Sequence, residues 1–298
     1  MRCVSVHLTD LCNSRCSFCV VGSPHYSRDS IDIERVRLFL TQNAGKDYEI
    51  VNLHGGEATI HPRFIEILEL IRDLGYSEVH LQTNAIKLAD ASFAQQLCEM
   101  NVRLFIISLH GHNAQTQDVQ TGTNGGFRRS LDGIKNVKAW HASVRTNTVI
   151  TNQNVRHLRD IVRLACDVGV DHINFSSIHP VGSATFAFEA IVPSFEEVRE
   201  QLFPAIDEAR AAGKVVTLEG FPYCTIAGYT QFHLNESPRH IRMLMRDTVI
   251  DDYDRFMNQV CRTTGEACGG CAVRDKCGGV YPEYVDRVGW GEFHAING

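Results

Sequence analysis

Two hydrophobic periodicities alternate along most of the chain. Short runs rich in β-branched and other apolar residues, typical of strands, occupy residues 3–8, 49–53, 78–82, 103–108, 144–149 and 171–175. Between these runs, apolar residues recur at helical spacing near residues 32–43, 62–74, 90–100, 127–140 and 154–168. Strands that alternate with helices in this way are typical of βα units packed around a parallel sheet.

The helix boundaries support this interpretation. The second helix is predicted to begin at Pro62, a residue type that favours helix starts. A sixth helix is predicted to begin at Ser194, whose spacing to Glu197 is that of a capping box. Six such units predict an α/β fold, a partial (β/α)6 barrel of the TIM type over residues 1–213. Residues 214–298 are then expected to form a small Cys-rich segment.

The composition suits a protein with a substantial core and limits its partners. Of 298 residues, 44% are hydrophobic. The formal net charge of −6 argues against nucleic acid as the main partner, because phosphate binding requires clustered Lys and Arg; it is compatible with a cationic substrate. The sequence shows neither a secretory signal peptide nor the ~18 apolar residues of a membrane span. A cytoplasmic location without a membrane partner is therefore expected.

Eleven cysteines are distributed unevenly along the chain. Because the number is odd and no secretion signal is present, metal binding or burial is favoured over disulfide bonding. Three cysteines lie within residues 12–19, and five lie from Cys224 onward. Cys3, Cys98 and Cys166 are isolated and are predicted to be small buried residues.

The first cysteine group, Cys12, Cys16 and Cys19, directly follows the first predicted strand. Thiolate ligands select zinc or iron–sulfur clusters. On a cubane cluster, three cysteines leave one iron atom without a protein ligand. A structural zinc site instead needs a fourth ligand, for which His7 or His25 is available. The three cysteines alone are compatible with either centre.

A Gly-Gly-Glu segment, Gly55 to Glu57, follows the second predicted strand. Two glycines let the backbone approach a ligand closely and supply free amides. By itself such a segment is also an ordinary tight turn. Its place at the carboxyl end of a predicted parallel strand, where ligands bind in these architectures, favours a site shared with the cysteines.

The C-x3-C-x2-C spacing, with Phe18 before the last cysteine, and the following Gly-Gly-Glu resemble the radical S-adenosylmethionine (SAM) superfamily. The resemblance implies a [4Fe–4S] cluster on Cys12, Cys16 and Cys19, with SAM chelated by the open iron. One electron, from a donor such as flavodoxin or ferredoxin, then splits SAM into methionine and a 5′-deoxyadenosyl radical. That radical abstracts a hydrogen atom from the substrate.

The resemblance also implies which residues contact SAM. The Gly-Gly-Glu segment holds the amino group, polar residues at strand ends contact the ribose and carboxylate, and a turn after the sixth strand packs against adenine. The implied cofactor-binding residues are Phe18, then Gly55, Gly56 and Glu57, then Asn84, Ser108 and Asn147, and finally Ile178. His110, at the end of the fourth predicted strand, and Glu219, which follows a further short strand pattern, are candidates for substrate contact, with a hydrogen-bonded loop residue as the alternative for both.

The second cysteine group has the spacing C-x2-C-x5-C, flanked by glycines. It resembles the auxiliary-cluster extensions of radical SAM enzymes known as SPASM or Twitch domains. Tyr281 stands where a further cysteine of the full pattern would fall, so we expect one auxiliary [4Fe–4S] cluster rather than two. A zinc knuckle is the alternative. The group consists of Cys268, Cys271 and Cys277.

The fourth ligand of this group is Cys224 or Cys261. We favour Cys224, because it follows the last core strand and would pin the C-terminal segment to the barrel. That choice leaves Cys261 free to give a hydrogen atom to a substrate radical; the alternatives are a ligand or a small buried residue.

These residues define a preferred reaction and its alternatives. No separate leader-binding domain is expected, since the first strand begins near residue 3, so a small molecule such as a sugar, aminocyclitol or aminoglycoside is the predicted substrate. Epimerisation with Cys261 as hydrogen donor is the preferred reaction. Oxidative dehydrogenation or peptide maturation, with the auxiliary cluster as electron acceptor, is the alternative. An iron–sulfur electron carrier or a zinc scaffold is the non-enzymatic alternative.

Overall fold

A computed structural model describes residues 2–22, 29–237 and 239–298. Its centre is a nine-stranded sheet in the order β7-β6-β5-β4-β3-β2-β1-β8-β9. The pairings of the first eight strands are parallel, and only β9 runs antiparallel to its neighbour. The strands are β1 Arg2–His7, β2 Ile50–His54, β3 Glu78–Thr83, β4 Val102–Ser108, β5 Ser143–Val149, β6 His172–Ser176, β7 Val215–Glu219, β8 His240–Leu244 and β9 Val249–Ile250.

Ten α-helices occur in the described residues, and six of them follow the predicted helical patterns. They are α1 Ile33–Asn43, α2 Phe64–Asp73, α3 Ala91–Glu99, α4 Ala114–Thr121, α5 Gly126–Ala139, α6 Leu158–Asp167, α7 Phe188–Ile191, α8 Phe195–Ala211, α9 Tyr253–Gln259 and α10 Pro282–Val288. The predicted cap of α8 is present, since the Ser194 hydroxyl accepts the Glu197 amide at 3.1 Å. No helix of the described residues is both long and apolar enough to cross a bilayer.

The parallel, open sheet confirms the predicted α/β fold and partial barrel. The structure adds a strand that the sequence pattern did not predict, β8, which pairs in parallel with β1. Both β7 and β8 lie beyond residue 213 and extend the same sheet. The division into two domains at that residue stays a prediction.

The two faces of the sheet differ in chemistry because side chains alternate along each strand. Val4 and Val6 of β1 belong to the hydrophobic core together with Val36 and Leu40 of α1. The intervening positions of the strands carry polar side chains on the opposite face, which we call the polar face. Register places them side by side: Ser5 beside Asn52, Ser108 beside Asn147, Asn147 beside Asn174, Asn174 beside Thr217, and Ser176 beside Glu219.

Candidate functional site

The cysteine loop follows β1 and is held on one side by the Gly-Gly-Glu segment. The Gly56 amide donates to the Thr9 carbonyl at 2.6 Å, and the Glu57 amide donates to the Leu11 carbonyl at 2.8 Å. A Cβ atom on Gly55 or Gly56 would lie closer than 3.0 Å to these same carbonyl oxygens. The glycines are therefore needed for backbone packing against the cysteine loop. The Gly56 amide is therefore not free, which corrects the expectation for that glycine.

The other side of the loop rests on α4, a helix that the sequence pattern did not predict. The Arg15 amide donates to the Thr121 carbonyl at 2.7 Å, and the Ser17 amide donates to the Gln120 carbonyl at 2.9 Å. After β6, the Ser183 amide donates to the Cys19 carbonyl at 2.9 Å. Three separate parts of the fold thus fix the backbone of this loop.

The thiols of the loop are suited to a metal centre. Burial raises the pKa of Cys12 to about 12 and raises the pKa of Cys16 as well. A buried thiolate is stable only beside a compensating positive charge, such as that of bound iron. The Ser14 amide lies 3.4 Å from the Cys12 Sγ as a hydrogen-bond donor, as is common around metal-bound sulfur.

The spacing of the sulfur atoms argues against zinc. Thiolates around one zinc ion lie about 3.8 Å apart, since each Zn–S bond is ~2.3 Å in a tetrahedron. Within the described ranges, no three cysteines have their sulfur atoms all within 4.8 Å of one another. A cubane spreads its cysteine ligands more widely, because each binds a different iron. Of the two proposed zinc partners, His7 has its Nε2 atom 2.7 Å from Asp10 Oδ1, and His25 lies outside the described residues.

The Glu57 carboxylate is almost fully buried and is occupied by neighbouring donors. Its Oε1 accepts from the Thr59 amide and hydroxyl at 3.1 and 2.6 Å and from the Thr83 hydroxyl at 2.8 Å. Its Oε2 accepts from the Asn84 amide at 2.8 Å. Burial raises the pKa of Glu57, and these hydrogen bonds partly offset the rise. A contact between Glu57 and the SAM amino group stays a prediction, with Oε2 as the oxygen that has acceptor capacity left.

Asn84, at the end of β3, is likewise tied to the cysteine loop. Its Nδ2 donates to Asn13 Oδ1 at 2.6 Å and to Ser14 Oγ at 3.2 Å, and its Oδ1 accepts the Ile86 amide. Every polar atom of this side chain therefore already has a protein partner. A role for Asn84 in positioning the loop is better supported than direct contact with SAM.

Ser108 and Asn147 lie side by side at the ends of β4 and β5. Asn147 Oδ1 accepts from Asn174 Nδ2 and from Ser176 Oγ, both at 2.7 Å, which fixes the orientation of the amide. This leaves its Nδ2 group as a donor for a ligand on the polar face. Ile178 is buried beyond β6, in the loop whose Ser183 amide contacts the cysteine loop. The structure thus brings these predicted SAM contacts to the same edge of the sheet.

His110 is placed differently from the sequence-based expectation. The side chain is 2% exposed, and its ring packs edge-to-face on Phe18 with centroids 4.7 Å apart. The Val149 amide donates to its Nδ1 at 3.2 Å, and burial lowers the pKa of His110 to about 3. These contacts favour the alternative interpretation of a hydrogen-bonded buried residue. The ring supports Phe18 instead of facing a substrate.

Glu219 ends β7 on the polar face, 3.9 Å from the Arg145 guanidinium. The Arg145 side chain is 18% exposed, while that of Glu219 is 41% exposed. Arg145 Nε is buried and has no hydrogen-bond partner within the described part of the chain. Arg145 was not predicted as a site residue, although its position two residues before Asn147 in β5 places both on the same face.

Of the five C-terminal cysteines, all except Cys261 are predicted ligands of the auxiliary cluster. The Tyr223 amide donates to Cys277 Sγ at 3.5 Å, and the Ile296 amide donates to Cys271 Sγ at 3.4 Å. Burial raises the pKa of Cys224, and the nearby Cys277 and Cys268 raise it further. This electrostatic coupling supports the preference for Cys224 as the fourth ligand.

Cys261 has different neighbours. Burial raises the pKa of its thiol, and the charges that act on it belong to Arg262 and Glu283. Its own charge would raise the pKa of Tyr253 and Tyr281, two tyrosines also affected by Glu219. The charges that act on this thiol therefore differ from those that act on Cys224, which include Cys277 and Cys268. Tyr281, which replaces a cysteine of the full SPASM pattern, stacks on His179 with ring centroids 4.0 Å apart.

Comparison with known proteins agrees with this geometry. The family model described as the radical SAM superfamily matches residues 6–165, more than half of the chain. The chain belongs to the radical SAM superfamily. Members of the superfamily use a [4Fe–4S] cluster and SAM, which confirms the two cofactors expected from the sequence.

Relatives by sequence are named as probable GTP 3′,8-cyclases. The one from Sulfurisphaera tokodaii is 30% identical over 201 residues, which are 66% of this chain and 63% of that protein. One from Saccharolobus islandicus (strain Y.N.15.51) is 28% identical over 187 residues, 62% of this chain and 59% of its own length. The match therefore spans less than two thirds of these relatives.

Solved radical SAM structures share the fold. Streptococcus suis SuiB bound to SAM has a TM-score of 0.70 at 15% identity. The alignment covers 99% of this chain and 76% of the SuiB chain. The anSMEcpe structure with bound AdoMet and Cp18Cys peptide has a TM-score of 0.59 at 18% identity. That alignment covers 73% of this chain and 62% of the anSMEcpe chain. The SuiB likeness includes the C-terminal segment of this radical SAM protein, whose cysteines fit an auxiliary cluster.

Proposed function

We propose that this radical SAM enzyme inverts a carbon centre of a small polar substrate bound over the polar face. The proposed substrate is a sugar, aminocyclitol or aminoglycoside. Asn147 and Arg145 offer donors to hydroxyl groups, and the half-exposed Glu219 carboxylate offers a partner for an amine. The polar, hydrogen-bonding character of this face supports such a substrate.

The observation that carries the proposal is the position of Cys261. The charges that act on its thiol come from Arg262 and Glu283, and its own charge acts on Tyr253 and Tyr281. Burial raises the pKa of the thiol, so the S–H bond stays intact at neutral pH. A protonated thiol can give a hydrogen atom, which a thiolate cannot.

When bound, the cluster and SAM supply a carbon radical that takes a hydrogen atom from the substrate. Cys261 then donates its hydrogen atom to the opposite face of the substrate radical: the S–H bond breaks, a C–H bond forms, and a thiyl radical remains. The thiyl returns to the thiol by taking one electron and one proton. A one-electron donor of the flavodoxin or ferredoxin class supplies that electron, and solvent supplies the proton.

Oxidative modification of a peptide is a second candidate. It is favoured by the likeness to SuiB over 99% of the chain, since SuiB has also been solved bound to its precursor peptide SuiA. In that case the substrate loses a second electron and a proton instead of gaining a hydrogen atom. The GTP cyclisation named for the sequence relatives is less favoured, because the chain spans less than two thirds of those relatives' length.

The reaction in deuterated water separates these candidates. Anaerobically reconstituted enzyme, SAM and a chemical reductant are incubated with a panel of sugars, aminocyclitols, aminoglycosides and peptides. Thiol hydrogens exchange with solvent, so epimerisation places one deuterium at the inverted carbon, whereas oxidation gives a product two hydrogens lighter. Release of 5′-deoxyadenosine distinguishes either reaction from an electron carrier or a zinc scaffold.

Variants identify the donor. We expect Cys261→Ala to release 5′-deoxyadenosine but to lose inversion, because the substrate radical is formed and not quenched stereospecifically. The matched control is Cys166→Ala, a half-buried cysteine on α6, which should invert the substrate at the wild-type rate. Inversion at the wild-type rate by Cys261→Ala would show that the donor is a different group.

A further inference from the structure

A cluster of potential metal ligands lies outside the site described above. His112, in the loop between β4 and α4, meets His157 and Asp160 at the start of α6. One ligand atom from each residue lies within 4.8 Å of the other two. In the described part of the chain, this is the one group of three such side chains at that spacing.

We propose that His112, His157 and Asp160 bind one divalent transition-metal ion. Two imidazoles and one carboxylate form a donor set that Zn²⁺ and related ions prefer. The two rings already face each other, with centroids 4.7 Å apart and planes at 38°. His157 Nδ1 lies 3.6 Å from Asp160 Oδ2, close to the ~3.3 Å between ligands of one tetrahedral zinc ion. Small side-chain rotations complete the site.

Two further observations indicate a ligand at this place. His112 Nδ1 is buried and has no hydrogen-bond partner among the described residues, an arrangement that is costly in a folded protein. An open cavity of about 420 Å³ adjoins both histidines, with the Gln115 and Gln153 side chains at its border. It leaves room for water or another small ligand at a fourth coordination position.

The position of the site suggests what the metal does. The His110 carbonyl, two residues before His112, accepts from Gln120 Nε2 at 3.0 Å and from Asn154 Nδ2 at 2.9 Å. The Gln120 carbonyl in turn accepts the Ser17 amide of the cysteine loop. A metal ion between His112 and α6 therefore cross-links the segment that leads into α4, the helix that supports one side of the cysteine loop, to the start of α6. Metal binding should stabilise that support, independently of the substrate and reaction.

Zinc titration of the cluster-loaded protein tests the proposal. Anaerobically reconstituted, chelator-washed wild-type protein is titrated with Zn²⁺ by calorimetry, so that the seven cysteines proposed as cluster ligands are already occupied. We expect one zinc ion to bind per chain and the midpoint of thermal unfolding to rise. His157→Gln and Asp160→Asn should each weaken binding at least about tenfold, as loss of a metal-site residue does. The control is His141→Asn, an exposed histidine outside the cluster that has a positive φ, which Asn tolerates.

Cobalt provides a second measurement that does not depend on variant folding. Co²⁺ added to the loaded wild-type protein should give d–d absorption typical of nitrogen and oxygen ligands, without sulfur-to-cobalt charge-transfer bands. The proposal is overturned if loaded protein binds no zinc, if His157→Gln binds it as tightly as wild type, or if thiolate charge-transfer bands appear.

Discussion

At the residue scale, burial decides the role of a histidine, and sequence does not reveal it. His54 and His110 both follow strand patterns and look equally suited to acid–base chemistry. In the fold, burial lowers the pKa of each to about 3, so both are neutral at physiological pH. His110 is buried because Phe18, from a distant segment, covers its ring.

The lowered pKa of His110 predicts a specific pH dependence of stability. Unfolded histidine takes up a proton near its ordinary pKa of 6.5, whereas folded His110 does so only near 3, so its stabilising contribution is present above 6.5 and is lost as pH falls. We expect the stability of wild type to fall by about 1.4 kcal/mol more than that of His110→Gln between about pH 7.5 and 5.5, seen as a larger drop in its thermal midpoint, because the full slope of about 1.4 kcal/mol per pH unit is reached only well below 6.5. Exposed His141→Asn should follow wild type. Parallel curves for His110→Gln and wild type would contradict the assignment.

At the scale of single elements, the sequence placed a motif at its strand end without revealing its protein neighbours. The Gly-Gly-Glu segment lies at the end of β2, as predicted, and its glycines pack on the backbone of Thr9 and Leu11. Helix α4 was missed because it has no apolar stripe: its buried residues are Gln117, Gln120 and Thr121, while Val119 is exposed. Periodicity cannot detect a helix whose buried face is polar.

The packing of Gly56 predicts a loss of cluster binding on substitution. In Gly56→Ala, the added Cβ meets the Leu11 backbone, which can move only by displacing the cysteine loop. We expect iron content after anaerobic reconstitution to fall by the amount that one cluster holds, and 5′-deoxyadenosine formation to be lost. Gly291→Ala, at a glycine with open space around it, is the control and should keep full iron. Full iron in Gly56→Ala would mean that the loop tolerates the shift.

At the scale of the whole molecule, the C-terminal segment extends the sheet and brings cysteines that are distant in sequence near one another. Strand β8 pairs with β1, the strand that leads into the cysteine loop. The same segment brings Cys277 and Cys268 close enough to Cys224 to raise the pKa of its thiol. We therefore expect the fourth ligand of the auxiliary cluster to depend on how the C-terminal segment packs against the sheet.

This arrangement predicts opposite effects of two cysteine variants. Cys224→Ala should lose about one cluster's iron while keeping the N-terminal cluster, because a cubane missing one of four thiolate ligands is held weakly. Cys261→Ala should retain the full iron content. Iron and sulfide analysis together with electron paramagnetic resonance of the reduced proteins gives the measurement. The reverse result would exchange the roles of the two residues.

The sequence by itself determined what depends on neighbouring residues: the alternation of strands and helices, the caps, the cysteine spacings and hence the superfamily. Tertiary structure alone decided what depends on distant segments meeting. Examples are the pairing of β8 with β1, the burial of His110 under Phe18, and the approach of Cys277 to Cys224. Local periodicity and spacing record backbone geometry over a few residues. Solvent exclusion and ligand convergence arise only when residues far apart in the chain come into contact.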